Sequence, residues 1–262
     1  MNLDDRFPSS APLIRGALGL VGVLALAEIA VAGGLIDVGS IPRPSAILAE
    51  TARLLTDREF LANVWVTIKG AALGLAIGIA VGVTLGGLVA SSKLANRLLT
   101  PIIEVIRPLP GVAVAPLLIA VFQRGLVSRS LTVALACSWP ILFNTRAGFG
   151  AVDQVAVRTA RAFNEGRLGV IRRVVLPWAS PFIFTGIRLS AAIAVIVEIA
   201  VEILIPDGTG IGGFLALAGS GGVPLATVYG ATLVAGLLSL ALNFGLDAAD
   251  RRFFGWRKGL GA

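Results

Sequence analysis

Residues 70–92, GAALGLAIGIAVGVTLGGLVASS, contain no Asp, Glu, Lys or Arg. A helix of that length crosses about 30 Å of hydrocarbon, whereas a helix on a soluble domain needs one polar face. The window is continuously apolar, so it lacks the alternation of a membrane β-barrel strand. Comparable windows recur along the 262 residues, and the expected fold is all-α and integral to a membrane. About six spans are predicted, near Gly16–Ile36, Ile68–Ala90, Leu98–Phe122, Leu131–Gly148, Phe182–Ile205 and Leu225–Leu246. The first begins too far into the chain for a signal peptide and has no small-residue cleavage site.

Charge sets the expected orientation. Only 14% of residues are charged, and the net charge is +7. In a membrane protein, basic loops report topology, so no nucleic-acid partner is inferred. With both termini inside, fourteen of the 22 Lys and Arg residues fall in inner segments and six in outer ones. That places the 149–180 loop in the cytoplasm of a multi-pass protein of the cell membrane. Outside, residues 45–62 carry apolar residues at helical spacing, as in a helix along the interface. Residues 206–224 are glycine-rich and read as a re-entrant segment.

Some chemistries are excluded. The chain has no histidine, which removes HExxH metalloprotease chemistry, and no metal site is predicted. Its single Cys137 lies in an apolar segment and has no partner for a disulfide. No G-x-x-x-x-G-K-[ST] phosphate loop occurs, so the chain itself hydrolyses no ATP.

Between the fourth and fifth spans lies RTARAFNEGRLGVIRRVVLPWASP (158–181), a basic amphipathic loop ending in Leu176-Pro177. Such a loop either docks on a cytoplasmic protein or rests on anionic lipid.

Four further stretches carry a resemblance: Ile41-Pro42-Arg43-Pro44-Ser45, PIIEVIRPLPGVAVAPLL (101–118), GIRLSAAIAVIVEIAVEIL (186–204) and GTGIGGFL (208–215). In order and spacing they resemble the permease subunits of ATP-binding-cassette importers for taurine, aliphatic sulfonates, nitrate and bicarbonate. The resemblance implies a type I ABC importer permease fold with a cytoplasmic coupling helix. It implies three regions: an N-tail and accessory first span (1–40), a core (41–250, with the coupling loop at 150–180), and a basic C-tail (251–262). Two ABC ATPase subunits, a second permease (the same chain or another) and an extracytoplasmic solute-binding protein are the implied partners. No cofactor is expected on this chain; ATP and Mg belong to the ATPase.

The family's cytoplasmic signature reads EAA, three residues, Gly, nine residues, Ile, one residue, Leu-Pro. Anchored on Leu176-Pro177, the Ile position is Val174 and the Gly position Asn164, while EAA falls on Arg158, Thr159 and Ala160. Asn tolerates positive φ better than other non-glycine residues, so the turn is expected to persist. Contact with the ATPase is then expected from Arg158, Ala160, Arg161, Phe163, Asn164, Leu168, Val174, Leu176 and Pro177. A second departure replaces a Trp-Phe-Gly-Ile-Gly-like segment with Val121-Phe122-Gln123-Arg124-Gly125. Arg124 and Arg129 are expected at the external mouth, attracting an anionic solute, lying in a solvated loop or contacting the binding protein.

Charges inside spans are costly and face the bundle interior or a partner. Glu104 and Arg107 share one face of the third span, and Glu198 and Glu202 one face of the fifth. With Arg188 they form either a pathway lining or an internal network, for example Arg107 with Glu198 or Glu202. Pro101, Pro108, Pro110 and Pro116 interrupt the third span. The glycines at 74, 78, 82, 86 and 87 suit close helix packing. The expected function is the permease subunit of an ATP-driven importer. The alternative, a secondary transporter, would carry internal inverted repeats, and none is evident.

Overall fold

A computed structural model of the chain describes residues 11–35, 41–205 and 207–254. The N-tail with Arg6, the end of the first expected span at Ile36, and the tail cations Arg257 and Lys258 lie outside the described residues. In chain order the helices are α1 (Ala11–Ala32), α2 (Pro44–Leu54), α3 (Arg58–Ser91), α4 (Lys93–Ile106), α5 (Ala115–Phe122) and α6 (Leu126–Gly150). They continue with α7 (Gln154–Ala162), α8 (Arg167–Val170), α9 (Leu176–Leu204), α10 (Gly210–Leu217) and α11 (Leu225–Phe254). A 3₁₀ turn, Gly111–Val114, precedes α5, and a wide helical turn, Ile171–Val175, joins α8 to α9.

The chain divides into two compact units, Met1–Leu61 with Ala218–Val234, and Ala62–Leu217 with Ala235–Ala262. In the first, Pro44 opens α2 where its missing N–H costs nothing. Ser45 donates from its N–H and hydroxyl to Glu28 on α1, at 3.0 and 2.8 Å. The single helix expected over 45–62 is instead interrupted at 55–57. There Asp57 accepts the Glu59 and Phe60 N–H groups at 2.9 and 3.3 Å and so starts α3, the capping role Asp favours.

The second unit is built around α6. Gly74, Gly78, Gly82 and Gly86 bring α3 against it. A Cβ at these positions would lie 2.6 Å from Val133 Cγ1, 2.9 Å from Cys137 Cβ, 2.8 Å from Ile141 Cβ and 2.8 Å from Thr145 Cβ. Gly87 faces Phe149 at 3.4 Å, an ordinary contact. The close-packing expectation therefore holds for the four-residue stripe. On its other side α6 packs along α9, where Gly186 admits the backbone of Pro140 and Ile141. Ser190 Oγ donates to the Cys137 carbonyl at 2.7 Å and Cys137 Sγ donates to the Ser190 carbonyl at 3.2 Å. These bonds leave no polar group of the pair unsatisfied in an apolar setting.

Among the described residues three helices, α3, α6 and α11 over Leu225–Arg252, are long and apolar enough to cross a membrane. The third expected span is not one helix. α4 and the Gly111–Phe122 segment meet at 88°, because Pro108 and Pro110 supply no N–H to carry the ladder through. Pro101 is tolerated inside α4, and Pro116 sits in the first turn of α5. α9, with 29 residues, has the length of a span, but Arg188, Glu198 and Glu202 interrupt its apolarity. Its exposed stripe is Leu189, Ile196 and Ile203, while both glutamates are buried. That is the reverse of a soluble helix and suits a hydrocarbon exterior.

Candidate functional site

Glu198 and Glu202 are both fully buried, one turn apart on α9. Arg129, near the start of α6, lies between them: its Nε is 3.5 Å from Glu198 Oε1 and its Nη1 is 3.6 Å from Glu202 Oε1. Nη1 also stands 3.5 Å from Asp207 Oδ1 and donates to Thr209 Oγ1 at 3.4 Å. Arg129 is therefore buried, not an open external cation, whereas Arg124 is exposed. The pairing expected of Arg107 is made by Arg129.

The same glutamate organises the α9–α10 turn. Glu202 accepts the Gly212 N–H at 2.9 Å and the Thr67 hydroxyl at about the same distance. Thr67 Oγ1 in turn accepts the Ile211 N–H at 2.9 Å, and Asn63 Oδ1 accepts the Gly210 N–H at 2.9 Å. The first N–H groups of α10, which have no partner within the helix, are thus bonded by side chains of α3 and α9. A carboxylate at a helix N-terminus also meets the positive end of its dipole. Gly212 is needed because Glu202 and the Ile199 carbonyl leave no room for a side chain. Gly70 is needed for the same reason beside the Glu198 carboxylate. Glu198 Oε1 and Arg129 Nε make a charge contact but no hydrogen bond, and Glu198 Oε2 accepts none either.

The other intramembrane charges lie apart. Arg188 pairs with Asp247 of α11 at 2.6 Å. Glu104 and Arg107 are exposed beside the bend and form no ion pair among the described residues; Arg107 stacks on the Phe143 ring at 4.5 Å.

The loop after α6 folds as two short helices around a small apolar core. Asp153 caps α7 by accepting the Val155 N–H at 2.8 Å. Val152, Val157 and Val170 are buried together, with Ala160, Val174 and Val175 packed on them. Asn164 takes φ 62°, as expected at the family's glycine position. Its N–H donates to the Arg161 carbonyl at 2.9 Å, and the Glu165 N–H donates to that of Ala160 at 3.1 Å. This is the Schellman closure of a helix, with Asn in the left-handed place. The closure leaves Phe163 80% and Leu168 79% exposed, and Arg158 and Arg161 are exposed as well. Leu176 and Pro177, also exposed, open α9. Glu165 pairs with Arg173.

Sequence reasoning missed Asn63, Thr67, Asp207 and Asp247. Asn63 and Thr67 are four apart, on one helix face, and that spacing was the available signal. Asp247 is an acid near the end of the last apolar run.

Residues 74–255 match the family described as "Binding-protein-dependent transport system inner membrane component". The chain is 30% identical to a putative ABC transporter permease protein of Methanocaldococcus jannaschii, over 78% of this chain and 76% of that protein. It is 29% identical to the taurine transport system permease protein of Escherichia coli (82% and 80% covered). It is 27% identical to a nitrate import permease protein of Synechocystis (80% and 78%). Among solved structures, a chain of a bacterial ABC transporter involved in import of the acidic polysaccharide alginate superposes with TM-score 0.64. That match has 16% identity and covers 94% of this chain and 98% of the other. A chain of the inward-facing MetNI methionine ABC transporter also gives 0.64, at 16% identity, covering 72% and 93%.

Proposed function

The chain belongs to the binding-protein-dependent transport system inner membrane components and is the permease subunit of an ABC importer, and we propose that it couples to its ATPase through residues 154–177. ATPase subunits, a solute-binding protein and another permease are its partners; two ATPases and two permeases make the working assembly in this reading. ATP and Mg act in the ATPase, and the termini and the 149–180 loop face the cytoplasm. Relatives named for nitrate and taurine support a small polar anion or zwitterion as the solute.

The observation that carries the coupling reading is the exposure of Phe163 and Leu168 on either side of the Asn164 turn. Exposed apolar residues on a segment whose own core is already formed are suited to an aromatic or aliphatic anchor in a partner's groove. Seated in an ATPase, they would carry its closing motion into α9, which follows without a break in the helix. Of the family's EAA triplet only the final Ala160 remains, and it faces the valine core, so packing within the segment is kept while the acidic contact is replaced by Arg158.

The test is purification of the tagged chain from native membranes in mild detergent, with mass spectrometry of what accompanies it. An ABC ATPase in equal amount supports the reading. A second, different permease in equal amount makes the pair asymmetric. Its absence, with one ATPase per permease, makes it symmetric. Purification without any ATPase contradicts the coupling proposal.

A further inference from the structure

A cavity of about 560 Å³ opens between the α3–α4 turn and the α7–α8 segment. Its polar rim consists of Ser91, Ser92, Lys93, Gln154, Arg161 and Arg167, and its floor includes Phe149, Val152 and Val170. No acidic residue lines it. None of Lys93, Arg161 and Arg167 forms an ion pair among the described residues, and the neighbouring Glu165 is already held by Arg173. Three cations thus surround one open space without a counter-charge. At physiological salt their repulsion extends across roughly 8 Å before it is screened.

We propose that this cavity binds a phosphate-bearing anion, in the form of an anionic lipid headgroup. The phosphate would meet Lys93, Arg161 and Arg167, with the rim hydroxyls and the Gln154 amide as further hydrogen-bonding groups. Two features favour lipid over soluble phosphate. The cavity lies at the end of α3, whose apolar run stops at Ala90, so it sits where headgroups sit. It also has an apolar floor, which a free phosphate would leave in contact with water but the glycerol and upper acyl region of a lipid would cover. The bound headgroup would tie the α3–α4 turn to the segment that meets the ATPase. The proposal rests on the cytoplasmic placement of residues 149–180 given above.

The probe is phosphatidylglycerol, measured by native mass spectrometry on the full chain released from detergent without its ATPase. The wild-type chain should retain one phosphatidylglycerol in preference to phosphatidylcholine. K93Q/R161Q/R167Q should retain it roughly a hundredfold less tightly, and K93Q alone roughly fivefold less. R97Q/R251Q/R252Q, with the same loss of charge elsewhere, should match the wild type. Thermal unfolding of each variant separates lost binding from lost folding, and K93Q, an exposed turn substitution, decides the matter where the triple variant does not fold. Equal retention by wild type and K93Q/R161Q/R167Q overturns the proposal. Binding of inorganic phosphate with no lipid preference overturns the lipid source. Protection of the Lys93 amine from acetylation only when ATPase is present, with neither phosphate probe bound, assigns the cavity to an acidic side chain of the partner. ATPase recovery with the wild-type chain reports on the coupling reading separately: a wild-type chain that comes from native membranes without ATPase yet retains phosphatidylglycerol counts against coupling and leaves the lipid site standing.

Discussion

Arg129 and Glu198 face each other at 3.5 Å, on α6 and α9, in a place from which solvent is excluded. Glu202 and Asp207 share the same guanidinium, so one cation serves three acids. Because Glu202 also accepts from Thr67 and Gly212, this cluster holds α3, α6, α9 and α10 in one arrangement. It is a fixed point of the second unit, away from the segment proposed to meet the ATPase.

Removing Arg129 leaves buried acids without their counter-charge. R129M should destabilise the detergent-solubilised chain by about 3–5 kcal/mol, the range for breaking a buried pair from one side. E198Q should cost less, because Arg129 keeps Glu202 and Asp207. Thermal unfolding of R129M, E198Q and the double variant should reveal a coupling energy above about 0.5 kcal/mol. Additive effects would show that the pair does not interact.

Thr67 both donates to Glu202 and accepts from Ile211. T67V keeps the shape and removes both bonds, leaving a buried carboxylate and a buried N–H each short of a partner, at about 1–3 kcal/mol apiece. Faster hydrogen exchange at Ile211 should accompany the loss. Unchanged exchange would mean that α10 is held by other contacts.

G78V should be poorly tolerated, since its Cβ would fall 2.9 Å from Cys137 Cβ and close on the α6 backbone. Overpacking of this kind costs about 1–3 kcal/mol. G87A meets only the Phe149 ring at 3.4 Å, and Ala is the better helix former by about 1 kcal/mol. It should be neutral or stabilising in the same unfolding assay, and equal losses at the two sites would refute the packing account.

Among the described residues two non-glycine residues have positive φ: Gln123 at φ 64° and ψ 176°, and Asn164 at φ 62°. Both stand where the family pattern carries glycine. Q123G and N164G should relieve strain worth about 1 kcal/mol, with a larger gain for Gln123, because its ψ of 176° puts it in a region essentially restricted to glycine, whereas Asn enters the left-handed turn conformation more readily. N164V should open the turn and reduce ATPase recovery. Recovery equal to wild type with N164V would mean that the turn does not position Phe163 and Leu168.

The spans at α3, α6 and α11 are legible because hydrocarbon forbids unpaired charge over a long run, and residues 70–92 announce that directly. The Asn164 turn is legible because few residues can replace glycine at positive φ. Arg129 is not legible. It follows Ser128 in a stretch that reads as the edge of a loop, and its partners lie about seventy residues away, so only the packing of α6 on α9 buries it. Arg107 is the better candidate by sequence, sitting within an apolar run beside Glu104. The 88° bend at the prolines takes it out of the bundle and onto Phe143. Proline content marks a break in a helix; it does not give the angle.

The most direct test is ATP hydrolysis by the reconstituted complex of permease, ATPase and solute-binding protein, compared between wild type and F163A/L168A. Truncating two exposed anchors should leave the fold of the permease intact while weakening ATPase association by about 2–4 kcal/mol. The account predicts loss of binding-protein-stimulated hydrolysis and of ATPase recovery together, with unchanged thermal unfolding of the permease. Full stimulated hydrolysis with both side chains removed would contradict it.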